Sequence, residues 1–254
     1  MGAGTPVGQA RNAFGAVGRR AADPRDILAP EMARRDEGTP GGRARRERNP
    51  EETRRRILDA AEHEFGCKGY DGTRLRDIAL AAGVHHALLH HYYGDKEGLF
   101  RSVLERALGS ISSRALELLR TTPDIRELVE RYVDVVVDFY AENRNLMQIL
   151  HFATLDEGSP AYSMCEEVAD TILLPLLDAT TRSIERAQQQ GSVRRDVNAR
   201  RLLVLAMGAA AYVFHEAPFF SLFLGGDVRA AEAIDEHKRA TVRLLIEGAL
   251  ATDA

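Results

Sequence analysis

The chain has 254 residues, of which 44% are hydrophobic and 28% charged, with two cysteines and no tryptophan. That length supports one large domain or two modest ones, and the balance excludes a wholly disordered or collagen-like chain. Cys67 and Cys165 are too few for a disulfide framework or a four-cysteine zinc site, which points to a reducing, cytoplasmic setting. The formal net charge of −4 is unlike the basic footprint of most nucleic-acid binders.

Residues 1–50 are rich in Gly, Ala, Pro and Arg and hold ten basic residues against six acids. Without apolar periodicity they cannot bury enough surface to offset chain entropy, so they read as a disordered basic arm. Its Arg43, Arg45, Arg46 and Arg48 are suited to DNA phosphates or a minor groove. Residues 1–10 have no secretory signal pattern, and no apolar run reaches the roughly 18 residues of a membrane span; no membrane association is expected.

From residue 51 the pattern is helical. Pro50 with Glu51 and Glu52 opens a first helix, in which Ile57, Leu58, Ala61 and Phe65 recur at helical spacing until Gly69. Thr73 is read as the N-cap of a second, short helix, which Gly83 breaks. A third spans about 84–93, and Asp95 caps a fourth. Further helices are expected at about 123–142, 145–154, 158–190 (kinked at Pro175), 197–214 (capped by Asp196) and 228–250. No stretch alternates with the period of a strand. The expected fold is all-α with about nine helices: a three-helix helix-turn-helix head over 51–100, then a larger body over 101–254.

The motif with functional content is the pair of short helices joined by Ala82-Gly83-Val84. Glycine permits the sharp turn, while Ile78, Ala79, Val84 and Leu89 hold the helices together. Leu89 and Tyr93 share one face of the second helix, which leaves Ala87, Leu88, His90 and His91 broadly on the other, free to enter a major groove.

Alone, such a pair is common among helical proteins. Its setting is not: Arg56-Ile57-Leu58-Asp59-Ala60-Ala61, Phe65, Gly69-Tyr70-Asp71-Gly72-Thr73, Asp77-Ile78-Ala79, Ala82-Gly83-Val84 and Gly94-Asp95-Lys96-Glu97-Gly98-Leu99-Phe100 stand at fixed spacing. Over residues 51–100 this resembles the tetracycline-repressor (TetR) family of transcription regulators. The resemblance implies that Thr73 and Lys96 contact phosphates, that His85, His86, Ala87, Leu88 and His90 serve bases or nearby backbone, and that Tyr92 serves mainly backbone. The chain departs from the family at His85, usually a small polar residue, at Leu88, usually Thr or Ser, and at His90 and Tyr92, where an aromatic and a histidine stand in the opposite order. These departures bear on the operator rather than the fold.

His85, His86, His90 and His91 fall within seven residues. His86 and His90 have the i, i+4 spacing of paired zinc ligands, but no third ligand is near, so no metal and no cofactor are expected. Near phosphates such histidines gain protons, and binding should strengthen from pH 8 toward pH 6.

For the body the resemblance implies inducer binding and dimerisation. Phe139, Met147, His151, Phe152, Tyr162, Cys165, Met207 and Tyr212 are the candidate ligand residues, with Met164 and Phe214 as further bulky groups, although aromatic and methionine side chains more often simply fill a core. A homodimer through the last two helices would use Leu203, Ala206, Ala209, Ala210 and Val213, with Ala240, Leu244, Ile246 and Leu250. The expected function is a ligand-responsive regulator, a repressor binding a palindromic operator in double-stranded DNA as a homodimer and released by a small-molecule inducer. The alternative is a helical interaction protein with a degenerate helix-turn-helix. An enzyme using His151 or Cys165 lacks any recognisable catalytic constellation. The charge divides as +4 on residues 1–50, −2 on the head and −6 on the body, so the acidic average resides mainly away from the proposed DNA face.

Overall fold

The computed structural model describes residues 49–250; the expected arm over 1–50 lies outside the described residues but for its last two positions. The described residues form eleven α-helices and no strand. The head consists of α1 (Pro50–Gly72), α2 (Leu75–Ala81) and α3 (His86–Tyr93). Asn49 caps α1 by accepting from the Glu51 N–H at 3.1 Å, and Gly69, at φ +67°, breaks its helical geometry near the end expected from the sequence. Ile57, Phe65, Ile78, Leu89, Leu99 and Phe100 are buried together, with the Phe65 and Phe100 rings perpendicular at 4.9 Å. Each such side chain contributes about 1.5–3 kcal/mol by leaving water, which suffices to hold two very short helices that would not persist alone.

Helix α4 (Lys96–Thr121) runs unbroken from the head into the body, and the boundary read at 100/101 falls inside it. Asp95 caps it as expected, accepting from Gly98 N–H at 2.8 Å. Arg106 ties α4 to α1 through Asp59 and Glu62, both at 2.6 Å. Then follow α5 (Ile125–Glu142), α6 (Arg144–Thr154) and α7 (Pro160–Val168). Helix α6 lies directly on α1: a Cβ on Gly66 would stand 3.0 Å from Asn145, and one on Gly69 would stand 3.5 Å from the Phe152 ring. The two glycines let the helices approach.

The single helix expected over 158–190 is instead α7, a π turn (Ala169–Leu173) and α8 (Leu174–Gln189). Pro175 has no N–H to donate backwards and its ring crowds the preceding turn, so the chain widens there rather than merely bending. Helix α9 (Ala199–His215) is capped by Asn198, which accepts from Arg201 N–H at 2.9 Å. The expected cap, Asp196, is held by Arg194 at 2.6 Å instead. The sequence reading also missed α10 (Ala217–Leu224), which leaves α9 at 87° and ends at Gly225, φ +71°. The last helix, α11 (Ala231–Ala249), packs with α5 and α9 around Val133, Val137, Ala210 and Phe214. Among the described residues no single helix is long and apolar enough to cross a membrane.

Candidate DNA-binding face and ligand cavities

The turn between α2 and α3 is built from backbone bonds: Ala82 N–H donates to Ile78 O at 2.8 Å, Gly83 N–H to Leu80 O at 3.0 Å, and Val84 N–H to Ala79 O at 3.0 Å. Gly83 sits at φ +61°. Arg56 of α1 reaches across and donates to the carbonyls of Ala82 and of Gly83, the latter at 3.2 Å. A Cβ at position 83 would stand 2.7 Å from that guanidinium, which would have to shift, while the left-handed backbone itself favours glycine there. The other end of α3 is held too: Tyr93 O–H donates to Arg54 O at 3.2 Å, and the Arg54 guanidinium lies 5.1 Å over the Tyr92 ring. The sequence reading had no role for Arg54 or Arg56, because their contacts span some 26 to 39 positions of chain.

Leu89 anchors α3 inward, and His86, Ala87, His90 and His91 are exposed with Leu88 half-buried. His85 is the N-cap, its Nδ1 accepting from Ala87 N–H at 3.3 Å. The His86 and His90 rings stack edge-on at 4.7 Å, and His90 Nδ1–H donates to Gly94 O at 2.6 Å, which leaves Nε2 facing outward. Among the described residues no cluster of three or more His, Cys, Asp or Glu side chains is arranged to hold a metal ion.

Thr73 is not the N-cap of α2; Arg74 is. The Thr73 hydroxyl lies buried and donates to Gly69 O at 2.7 Å, with Glu64 O at 3.1 Å, and its N–H donates to Tyr70 O at 3.2 Å. Both donors are spent on the end of α1, because Gly69 breaks that helix and leaves carbonyls to satisfy. The group exposed at this corner is Arg74, which has no ion pair among the described residues. Lys96, in the first turn of α4, lies with its ammonium 4.2 Å over the Tyr70 ring; burial pulls its pKa below the usual lysine range, with Asp71 opposing. Gly98 allows α3 and α4 to meet, since a Cβ there would stand 2.2 Å from Tyr93 O.

The eight candidate ligand residues do not gather in one cavity. Phe139 is core, Phe152 covers Gly69, and Tyr162 lies on α7 beside Glu166, whose charge raises its pKa. Cys165 packs against the core, where burial pushes its thiol up to about 11. Met207 is half-buried on α9 and Tyr212 is exposed against Phe220. Met147 and His151 do share a cleft, with Arg144 and Arg229. A separate apolar cavity of about 80 Å³ lies between α5, α8, α9 and α11, with Leu128, Tyr132, Ile184, Leu202 and Leu245 in its walls. Burial raises the Tyr132 phenol, and the Thr180 hydroxyl opposes that shift. The sequence carried a faint signal here, since Leu128, Val129 and Tyr132 recur along α5, but only the crossing of four helices makes them a cavity.

The expected dimer residues divide. Leu203, Ala210 and Leu250 are buried within the protomer: Ala210 in the cluster of α5, α9 and α11, Leu203 in the wall of the apolar cavity, and Leu250 against Ala187 and Val193. Exposed instead are Val204, Leu205 and Tyr212 of α9, Leu244 of α11, and Phe219, Leu222, Phe223 and Leu224 of α10.

A short exposed helix pinned at both ends after a glycine turn is the architecture of a helix-turn-helix DNA-binding protein. Residues 57–103 match the family model of bacterial regulatory proteins of the tetR family, and residues 126–245 match that of the tetracyclin repressor-like C-terminal domain. The chain belongs to the TetR family of helix-turn-helix transcription regulators. It is 26% identical over 199 residues to the HTH-type transcriptional repressor SCO4008 of Streptomyces coelicolor, covering 78% of this chain and 97% of the relative. It is 24% identical over 193 residues to the repressor NicS of Pseudomonas putida, covering 74% and 88%. Among solved structures, the transcriptional regulator FadR of Bacillus subtilis in complex with stearoyl-CoA has the same fold, with a TM-score of 0.58 and 18% identity over 76% of this chain and 98% of that one.

Proposed function

We propose that this regulator is a repressor that binds a palindromic operator as a homodimer and leaves it when a small apolar inducer enters the body. The observation that carries the DNA reading is the exposed face of α3, held at a set pitch by Arg56 at one end and Tyr93 at the other. His86, Ala87, Leu88 and His90 would address bases in the major groove, with His85 at the helix start and Tyr92 nearer the backbone. Lys96 would contact phosphate as the resemblance implies, and Arg74 would take the place expected of Thr73. The apolar surface of α9, α10 and α11 supports self-association, since contiguous exposed apolar area on a soluble protein marks an interface. Two copies would then set their recognition helices one DNA turn apart.

The ligand reading rests on the cavity between α5, α8, α9 and α11. At about 80 Å³ it is well below the few hundred Å³ of a typical small-molecule site, so an occupant must push helices apart. A ligand that binds an expanded body better than a compact one shifts the population toward the expanded state by that difference in affinity. NicS and SCO4008 are named repressors, and the related FadR fold holds stearoyl-CoA, which favours repression and an apolar ligand for this chain as well. Selection of bound sequences from random DNA, with and without hydrophobic compounds, tests the whole reading. A palindrome released by one compound is the expected result. No enrichment with a folded protein would favour the helical interaction protein with a degenerate helix-turn-helix.

A further inference from the structure

Between α6, the C-terminal end of α9, the start of α10 and the loop before α11 lies a cleft of about 240 Å³, separate from the apolar cavity. Arg144, His151, His215 and Arg229 line it, against one acid, Glu216. Arg229 is the unusual member. Its Nη2 donates to Phe214 O at 2.7 Å, which fixes the guanidinium, yet its Nε is shielded from solvent and has no hydrogen-bond partner. A buried N–H left without an acceptor costs about 1–3 kcal/mol, and more on a charged group. Arg144 has neither an ion pair nor a side-chain hydrogen bond among the described residues. Burial first, and then the Arg144 charge, disfavour the Arg229 cation, with Asp227 opposing. Glu216 does not neutralise the pair; its carboxylate stands 3.8 Å from His215 Nε2.

We infer that this cleft binds a small organic carboxylate, its oxygens between Arg144 and Arg229 and its apolar body against Met147 and Phe214. Two like charges share this cleft with no carboxylate paired to either among the described residues, an arrangement that an anion completes, and the unpartnered Arg144 guanidinium can meet a carboxylate through two parallel bonds. The apolar wall formed by Met147, Phe214 and Pro218 suits an organic body better than a hydrated inorganic ion. Glu216 in the same wall repels a doubly charged ligand, which favours a monoanion over phosphate. Occupancy bears on the head through α6. Arg144, Gln148 and His151 face the cleft, while Asn145 and Phe152 on the same helix press against Gly66 and Gly69 of α1.

Titration calorimetry on the full chain tests this without DNA, so its failure is distinct from failure of the operator reading. The probes are benzoate, its neutral counterpart benzamide and inorganic phosphate. Benzoate is expected to bind, with benzamide and phosphate at least tenfold weaker. Arg229→Gln should weaken benzoate tenfold or more, but it also loses the bond to Phe214 O and can fail to fold. Arg144→Gln and Arg144→Glu carry the test independently, because the native side chain has no partner to lose; each should weaken benzoate at least tenfold with an unchanged melting temperature. No benzoate binding at millimolar concentration, unchanged affinity in R144E, or phosphate binding as tightly as benzoate would each overturn the inference.

Discussion

Because His90 gives its Nδ1–H to Gly94 O, the neutral ring presents Nε2 as an acceptor. Protonation turns that atom into a donor suited to phosphate or to guanine O6 and N7. His86 stacks on it and His91 is exposed on the same short helix, so an approaching DNA strand meets a cluster of imidazoles rather than one ring. A group whose pKa rises in the complex strengthens binding as pH falls, so operator affinity should increase from pH 8 to pH 6, by at most roughly tenfold per proton and pH unit. Fluorescence anisotropy checks this; a flat profile with the fold intact removes the idea, and His90→Gln should flatten it. Arg56→Ala should act differently. It leaves two carbonyls of the turn without their guanidinium donor, costing about 1–2 kcal/mol of stability and weakening every DNA sequence alike, whereas His86→Ala should change which sequences are preferred. Melting curves and binding selection on the same two variants distinguish these outcomes.

At the scale of elements, the contact of α1 with α6 joins head to body. A methyl at Gly66 would meet Asn145 Cα and Cβ at 3.0 Å and its carbonyl at 3.1 Å, so Gly66→Ala forces two helices apart. It should cost about 1–3 kcal/mol and shift operator affinity by changing the seating of α1. Gly109, inside α4 with nothing within 4 Å of the added methyl, supplies the contrast: Gly109→Ala should stabilise by about 0.5–1 kcal/mol and leave DNA binding unchanged. Thermal denaturation compares the two directly. A fall in stability for Gly109→Ala would mean that helix propensity does not govern that site. The π turn between α7 and α8 belongs to this scale as well: Pro175 announces an interruption in sequence, but periodicity alone does not distinguish a widened turn from a kink.

Across the whole molecule, the net charge of −4 and the exposed apolar surface make separate statements. With the acids concentrated in the body, the proposed operator contacts include few phosphates, each expected to steepen the salt dependence by about −0.9 in log–log slope. Lys96→Ala should reduce that slope by about one. The apolar surface predicts oligomeric state. Leu222→Asp with Phe223→Asp, both more than 70% exposed in the protomer, should leave the fold intact, give a monomer by sedimentation and lower operator affinity roughly 100-fold or more by uncoupling the half-sites. A wild-type chain that sediments as a monomer at micromolar concentration would contradict the homodimer.

Local rules made much of this protein legible from its sequence: the cap at Asp95, the breaks at Gly69 and Gly83, and the helical periods of α1, α4 and α5 depend on residues within a turn of one another. The helix-turn-helix was legible for the same reason, because its landmarks lie within one 50-residue stretch. Where two partners compete for one group, the sequence misled: Thr73 closes α1 rather than opening α2, and Asp196 serves Arg194 rather than α9. The body was harder still. Helical periodicity says that a stripe is apolar but not which neighbour covers it, so Ala210 pointed to a partner chain when α5 and α11 already bury it. The apolar cavity, the arginine pair at 144 and 229 and the exposed surface of α10 each depend on helices far apart in sequence, and only tertiary packing decides whether a side chain there meets a neighbour, a void or water.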